Sequence, residues 1–261
     1  MKLGLEGKHA LVLGAGGGLG GQVALDLAAE GCRVTATDRS PDALQSAVQL
    51  AQKQELTLFP VVADLSGSRE LAALHDAAVQ HHGPVDVLFN NSGGPAPAGA
   101  LEITEQSWRD SFDAMVLSLI ELTGLVVPAM RRRGWGRIIT STSSGVIAPI
   151  SGLAASNALR SALVGWSKTL AGEVGQVGIT VNVVVPGRIE TSRVRSLDEA
   201  RAIREGATAD EVQRRSAAVI PAGRYGTPEE YSAAVVFLAS QRASFITGTQ
   251  VRVDGGMIPS V

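Results

Sequence analysis

Cysteine is almost absent. The chain has one, Cys32, so no internal disulfide can form, and a reduced, cytoplasmic protein is expected. Aromatic residues are scarce at 4%, and the two tyrosines, Tyr225 and Tyr231, both lie in the C-terminal region. Charge of either sign is modest. Charged residues make up 18% and the net charge is −2, so nothing resembles a nucleic-acid footprint. No uninterrupted apolar run approaches membrane-spanning length, and the stretch MKLGLEGKHALVLGAG is broken by Glu6, Lys8 and His9, so neither a signal peptide nor a span is expected. The four histidines, His9, His75, His81 and His82, form no metal-ligand cluster, and no metal is expected. No internal repeat or low-complexity segment occurs.

What is present is a globular composition, 45% hydrophobic over 261 residues, enough for one large α/β domain. Short β-branched runs alternate with longer helical patterns. Strands are expected at 9–13, 32–38, 56–65, 85–91, 136–144, 179–186 and 249–256. Helices are expected at 41–54, 68–82, 104–133, 152–175 and 228–240, and after the first strand, where Leu19, Val23 and Leu27 recur every four residues. Apolar strands that run continuously, separated by helices, indicate a seven-stranded parallel sheet covered on both faces. This is a doubly wound Rossmann fold in a single domain spanning 1–261, with ligands at the carboxyl ends of the strands. The polar stretch 192–222 reads as a substrate lid within it. The run Arg131, Arg132, Arg133 suits a solvated helix C-terminus.

The segment LVLGAGGGLGGQVA (11–24) is a strand, a glycine-rich turn and a helix start. Gly14 permits the tight turn; Gly18 and Gly20 let the backbone approach a pyrophosphate at the helix N-terminus. Asp38 ends the second strand, 24 positions after Gly14. A carboxylate there accepts hydrogen bonds from adenosine ribose hydroxyls and repels a 2′-phosphate, which favours NAD. The adjacent Arg39 leaves NADP open.

These residues resemble the short-chain dehydrogenase/reductase family. The spacing Gly14-x-x-x-Gly18-x-Gly20 matches its glycine signature, with Leu13 where a threonine is common. ADL (63–65), NNSG (90–93), VPGRIET (185–191), GRYGTPEE (223–230) and TGTQVRVDGG (247–256) match further family segments in order along the chain. The resemblance implies a cofactor-facing set of Gly14, Gly18, Leu19, Gly20, Asp38, Arg39, Asp64, Leu65, Asn91, Ser92, Gly93, Arg160, Pro186, Gly187, Ile189 and Thr191. It also implies a homotetramer or homodimer.

The family's catalytic residues are an asparagine, a serine, and Tyr-x-x-x-Lys. Ser143 stands at the serine place, thirteen positions before Ser156. Ser156 and Arg160 stand at the tyrosine and lysine places, and Met115, seven after Trp108, stands where the asparagine is expected. Positions i and i+4 share a helix face, so Ser156 and Arg160 can reach one ligand. A seryl hydroxyl is far more basic than a phenol and shorter, so Ser156 cannot simply replace the tyrosine. Arg160 keeps the positive charge but does not relay a proton.

The resulting expectation is an NAD(P)-dependent oxidoreductase interconverting a secondary alcohol and a carbonyl, with Ser143, Ser156 and Arg160 as the catalytic set and an altered source of the proton. The alternatives are a nicotinamide-nucleotide-binding protein without turnover, acting as a sensor or regulatory subunit, and a redox-neutral enzyme using the same pocket. The loop GGPAPAG (93–99) is a stiff candidate wall. The segment from Arg188 onward also carries Arg193, Arg195, Arg201 and Arg204. These suit an acidic substrate, but the interleaved Asp198, Glu199 and Glu205 point rather to a solvated, charge-mixed lid.

Overall fold

A computed structural model describes residues 2–260. The elements run β1 His9–Leu13, α1 Gly18–Ala29, β2 Arg33–Asp38, α2 Pro41–Lys53, β3 Leu58–Val62, α3 Ser68–His82, β4 Val87–Asn90, α4 Glu105–Phe112, α5 Ser118–Arg133, β5 Gly136–Ser141, α6 Ala154–Val174, β6 Ile179–Pro186, α7 Ser192–Glu205, α8 Ala209–Ala218, α9 Pro228–Ala239 and β7 Gln250–Val253. The strands form one sheet in the order β3-β2-β1-β4-β5-β6-β7, and every pair is parallel. Strand order reverses between β1 and β4, which opens a crevice at their carboxyl ends.

The continuous apolar strands explain the two layers. Successive side chains point to opposite faces. Ala10 and Val12 of β1 pack into a core with Val23 and Leu27 of α1 and Tyr231 and Val235 of α9. Leu11 and Leu13 pack into the opposite core with Leu119 of α5, Leu163 of α6 and Leu88 of β4. Each fully buried Leu or Val contributes about 1.5–3 kcal/mol of burial free energy. The caps set where helices begin. Ser40 Oγ accepts from the Ala43 N–H ahead of Pro41, and Thr227 with Glu230 forms a capping box ahead of Pro228.

β1, β2 and β6 end where their sequence patterns suggest, while β3, β4, β5 and β7 end one to three residues earlier, because the ladder stops where the chain turns into the cleft. Two departures are larger. The stretch 192–222 holds two helices, α7 and α8, which have little apolar periodicity to betray them. Helix 105–133 is interrupted by a π-helical turn at Asp113–Leu117, which shifts the helical register at Met115. By length and composition this helix is apolar enough to cross a membrane, with a window of mean hydropathy 1.7. It packs on α3, β4, β5 and α6 as a covering layer of the sheet. Its C-terminal arginines are not all solvated: Arg133 Nη2 donates to Asp86 Oδ1 at 3.0 Å and to Val85 O at 2.7 Å.

At the opposite edge of the sheet from the cleft, His9 is wholly buried. Its Nδ1 donates to Gly83 O at 2.7 Å, so Nε2 accepts from the Thr35 hydroxyl at 2.9 Å. Burial holds its imidazolium down to about 4. The folded state therefore takes up this proton later than the unfolded chain does as pH falls. Stability is full above the unfolded value and is lost as pH drops from about 6.5 toward 4, by about 3 kcal/mol from this group. Urea titrations across that window should show a slope that flattens in His9→Gln. An unchanged slope would remove His9 as the cause.

Candidate functional site

A cleft of about 1360 Å³ opens at the carboxyl ends of the strands. Every residue of the catalytic and cofactor-facing sets expected from the sequence lines it. Gly14, Gly18, Leu19 and Gly20 form its floor beside β1. Asp38 and Arg39 follow β2, Asp64 and Leu65 follow β3, and Asn91, Ser92 and Gly93 follow β4. Pro186, Gly187, Ile189 and Thr191 border β6 and its exit. Ser143, Ser156, Arg160 and Met115 complete the wall.

The turn after β1 is built for close backbone approach. Gly14 has φ +65°, a left-handed conformation, and a Cβ on Gly20 would lie 2.2 Å from Gly14 O. Asn91 Nδ2 donates to Leu13 O at 3.2 Å and ties the end of β4 to β1. Asp38 holds the same turn from the other side. Its Oδ2 accepts from the Gly16 N–H at 3.1 Å and its Oδ1 from the Ser40 N–H at 3.0 Å. Each carboxylate oxygen keeps a lone pair for a ligand. The Ser66 backbone N–H, bound by Asp64 Oδ1 at 3.0 Å, holds the Asp64 carboxyl below its ordinary value. The N-terminus of α1 faces the cleft with free N–H groups, which suits a phosphate. Ser92 Oγ and Thr37 Oγ1 line the cleft buried and without a hydrogen-bond partner among the described residues, as expected of donors kept for a polar ligand.

Ser143 does not end β5. It lies two residues beyond it and caps a short 3₁₀ turn, Ser144–Val146. Its Oγ accepts from the Gly145 N–H at 3.1 Å, which leaves the hydroxyl proton free to donate into the cleft. Ser156 sits in the first turn of α6, 8% exposed, and its hydroxyl has no partner among the described residues. Its neighbour Asn157 is structural: Nδ2 donates to Ile150 O at 2.9 Å and Oδ1 accepts from the Ile150 N–H at 3.3 Å, pinning the 145–150 loop to α6.

Arg160 is buried, and its guanidinium has no carboxylate partner among the described residues. Nη1 donates to Ser141 O at 3.2 Å, while Nη2 donates to Ser92 O and Gly93 O, each at 3.2 Å. Burial lowers it to about 10, so it stays cationic at neutral pH. Sequence reasoning placed it in the catalytic and the cofactor-facing sets; its guanidinium also clamps the ends of β4 and β5 with three hydrogen bonds. Lys168 is remote, with Nζ bound to Gly248 O at 3.0 Å. Met115 is buried at 3% exposure against the cleft and offers no donor.

Neither tyrosine supplies the missing phenol. Tyr225 is buried outside the cleft lining and donates to Asp198 Oδ2 at 2.8 Å, with Arg188 on the same carboxylate. Tyr231, fully buried on α9, donates to Ser141 Oγ at 2.8 Å, and burial pushes its phenol well above the ordinary value. Ser141 is therefore held from both layers, its carbonyl by α6 and its hydroxyl by α9. Sequence reasoning missed Ser141 and Tyr231 in this role, since nothing local marks a contact 90 residues apart. It also missed α7 and α8, although Thr208 and Glu211 carry a readable capping box.

A family profile described as Enoyl-(Acyl carrier protein) reductase matches residues 14–258. The chain is 35% identical over 252 residues to 3-oxoacyl-[acyl-carrier-protein] reductase FabG of Escherichia coli (strain K12), covering 97% of this chain and 98% of that one. Its fold matches L-sorbose reductase from Gluconobacter frateurii, solved with NADPH and L-sorbose, with a TM-score of 0.93, 30% identity and full coverage of both chains. It matches 7α-hydroxysteroid dehydrogenase, solved with NADH and 7-oxo glycochenodeoxycholic acid, with a TM-score of 0.90 and 29% identity over 99% of this chain and 97% of that one.

Proposed function

The chain belongs to the short-chain dehydrogenase/reductase family, and from that membership we infer that it is an NAD(P)-dependent oxidoreductase interconverting an alcohol and a carbonyl with a proton-transfer site of its own. The observation that carries the reading is the convergence of Ser143, Ser156 and Arg160 with the glycine turn on one cleft.

A bound nicotinamide supplies the hydride. The remaining work falls to the chain. The α1 N-terminus and the Gly14–Gly20 turn would hold the pyrophosphate, and Ile189 and Thr191 would border the nicotinamide. Asp38 selects NAD by accepting from the ribose hydroxyls. Ser143 donates its free hydroxyl proton as a hydrogen bond to the substrate oxygen. Ser156, short where the family has a phenol, leaves room for a water hydrogen-bonded to both serines. That water would give its proton to the substrate oxygen, and the hydroxide left behind would pass to solvent. The Arg160 charge, uncompensated by a carboxylate among the described residues, favours the negative charge that builds on that oxygen. Helices α7 and α8 act as the substrate lid, in the segment 192–222. The assembly is a homodimer or homotetramer in the cytoplasm, in keeping with Phe112, Leu117 and Leu125 exposed along helix 105–133.

Ser143→Ala should lower kcat about 10- to 30-fold, the loss of one substrate hydrogen bond, with NADH affinity unchanged. Steady-state kinetics beside fluorescence titration of NADH separates the two effects. Full activity in the variant would remove Ser143 from the reaction.

A further inference from the structure

Six guanidiniums line the end of the cleft built by α6, α7 and α8: Arg160, Arg188, Arg193, Arg201, Arg204 and Arg215. Arg188 is paired with Asp198, while Arg201 and Arg215 share the single carboxylate of Glu205. Arg160, Arg193 and Arg204 have no carboxylate partner among the described residues. The remaining carboxylate at this end, Asp110, accepts from Gln106 Nε2 at 2.8 Å. The charge-mixed lid expected from sequence is thus mixed along the chain but not in space. Asp198 and Glu205 are already paired with arginines, and Glu199 is exposed outside the cleft lining, so positive charge is left facing the cleft.

The two lid arginines without a carboxylate partner stand by two neighbouring walls, Arg193 by the 93–99 loop and Arg204 by Gly152. Arg193 Nη2 donates to Pro95 O at 2.7 Å and packs over Gly94. Arg204 Nη1 lies 3.2 Å from where a Cβ on Gly152 would be, just ahead of Ser156. The two walls are joined where Ala98 bridges Leu153. Arg193 is close enough to Arg160 for their charges to repel, which lowers the buried guanidinium further. An anion placed between them relieves that repulsion and pairs with fork-shaped donors.

We propose that the substrate is a small carbonyl compound carrying an anionic oxygen group, a carboxylate or a phosphate, held by Arg193 and Arg204 while its carbonyl meets Ser143 and Ser156. The proposal rests on the oxidoreductase reading of the same cleft.

Matched pairs test it: acetoacetate against methyl acetoacetate, pyruvate against methyl pyruvate, and dihydroxyacetone phosphate against dihydroxyacetone. Each is followed by NADH oxidation and by calorimetric binding to the NADH complex. The charged member of at least one pair should be preferred about 10-fold or more, and that pair distinguishes carboxylate from phosphate. The double variant Arg193→Gln, Arg204→Gln should raise KM for that charged member about 10- to 100-fold, leaving kcat, its neutral partner and NADH affinity unchanged. Equal use of charged and neutral members in every pair overturns the proposal. So does a preference for a neutral N-acetylcysteamine thioester of acetoacetate, which would point to carrier-bound substrates. A loss of NADH affinity in the double variant overturns it in favour of a pyrophosphate contact. Preferred binding of a charged member without any NADH oxidation supports the anion site and counts against the oxidoreductase reading alone.

Discussion

Arg160→Met lowers the unfolding free energy by about 4 kcal/mol, and the melting temperature by roughly 10 °C for a chain of this size. Methionine fills similar space without a donor. The carbonyls of Ser92, Gly93 and Ser141 then lose the three hydrogen bonds that join the ends of β4 and β5 through α6. Bonds to a charged donor each contribute about 1.5–3 kcal/mol, and the desolvation of the guanidinium, relieved in the variant, offsets part of the sum. Arg160→Lys keeps the charge, but an ammonium on one nitrogen cannot span both strand ends, so its loss is about half as large. Both variants should also bind NADH more weakly, because the Ser92–Gly93 backbone that lines the cleft is released. Thermal unfolding with NADH titration checks both statements. A methionine variant as stable as the parent would show that the guanidinium is not the tie between the strand ends.

Asp38→Asn should change the ratio of kcat/KM for NAD to that for NADP by about 10³-fold toward NADP. The carboxylate has one oxygen on the Gly16 N–H and the other on the Ser40 N–H, and it lines the cleft beside Arg39. Asparagine keeps one acceptor for the turn. It removes the charge that strengthens the bonds to ribose hydroxyls and the repulsion that keeps out a 2′-phosphate. Arg39, with no carboxylate partner among the described residues, is then available to that phosphate. Kinetics with both cofactors at a fixed substrate give the ratio. An unchanged ratio at unchanged stability would move cofactor choice away from Asp38.

The most legible part of the site was local. A glycine turn between a strand and a helix, a carboxylate at the end of the next strand, and an i, i+4 pair on one helix are all set by spacing within about one or two elements. Short-range geometry makes these readable, because the backbone periods of strand and helix place each side chain without knowledge of the rest. The same periods revealed the sheet, since strands buried on both faces must be apolar throughout.

Periodicity was silent on what each side chain finds when it arrives. It put Arg160 on the right helix face, but its acceptors come from positions 19 and 68 residues away and only packing brings them together. It read the lid as mixed charge, and folding spends Asp198 on Arg188 and Glu205 on two arginines while leaving Arg193 and Arg204 free. The sequence by itself determined the fold, the edge of the sheet where the cleft opens and the serine and arginine that stand in the Tyr-x-x-x-Lys places. The tertiary structure alone decided which charges are compensated, because a charge is neutralised by its neighbours in space and not by its neighbours in the chain.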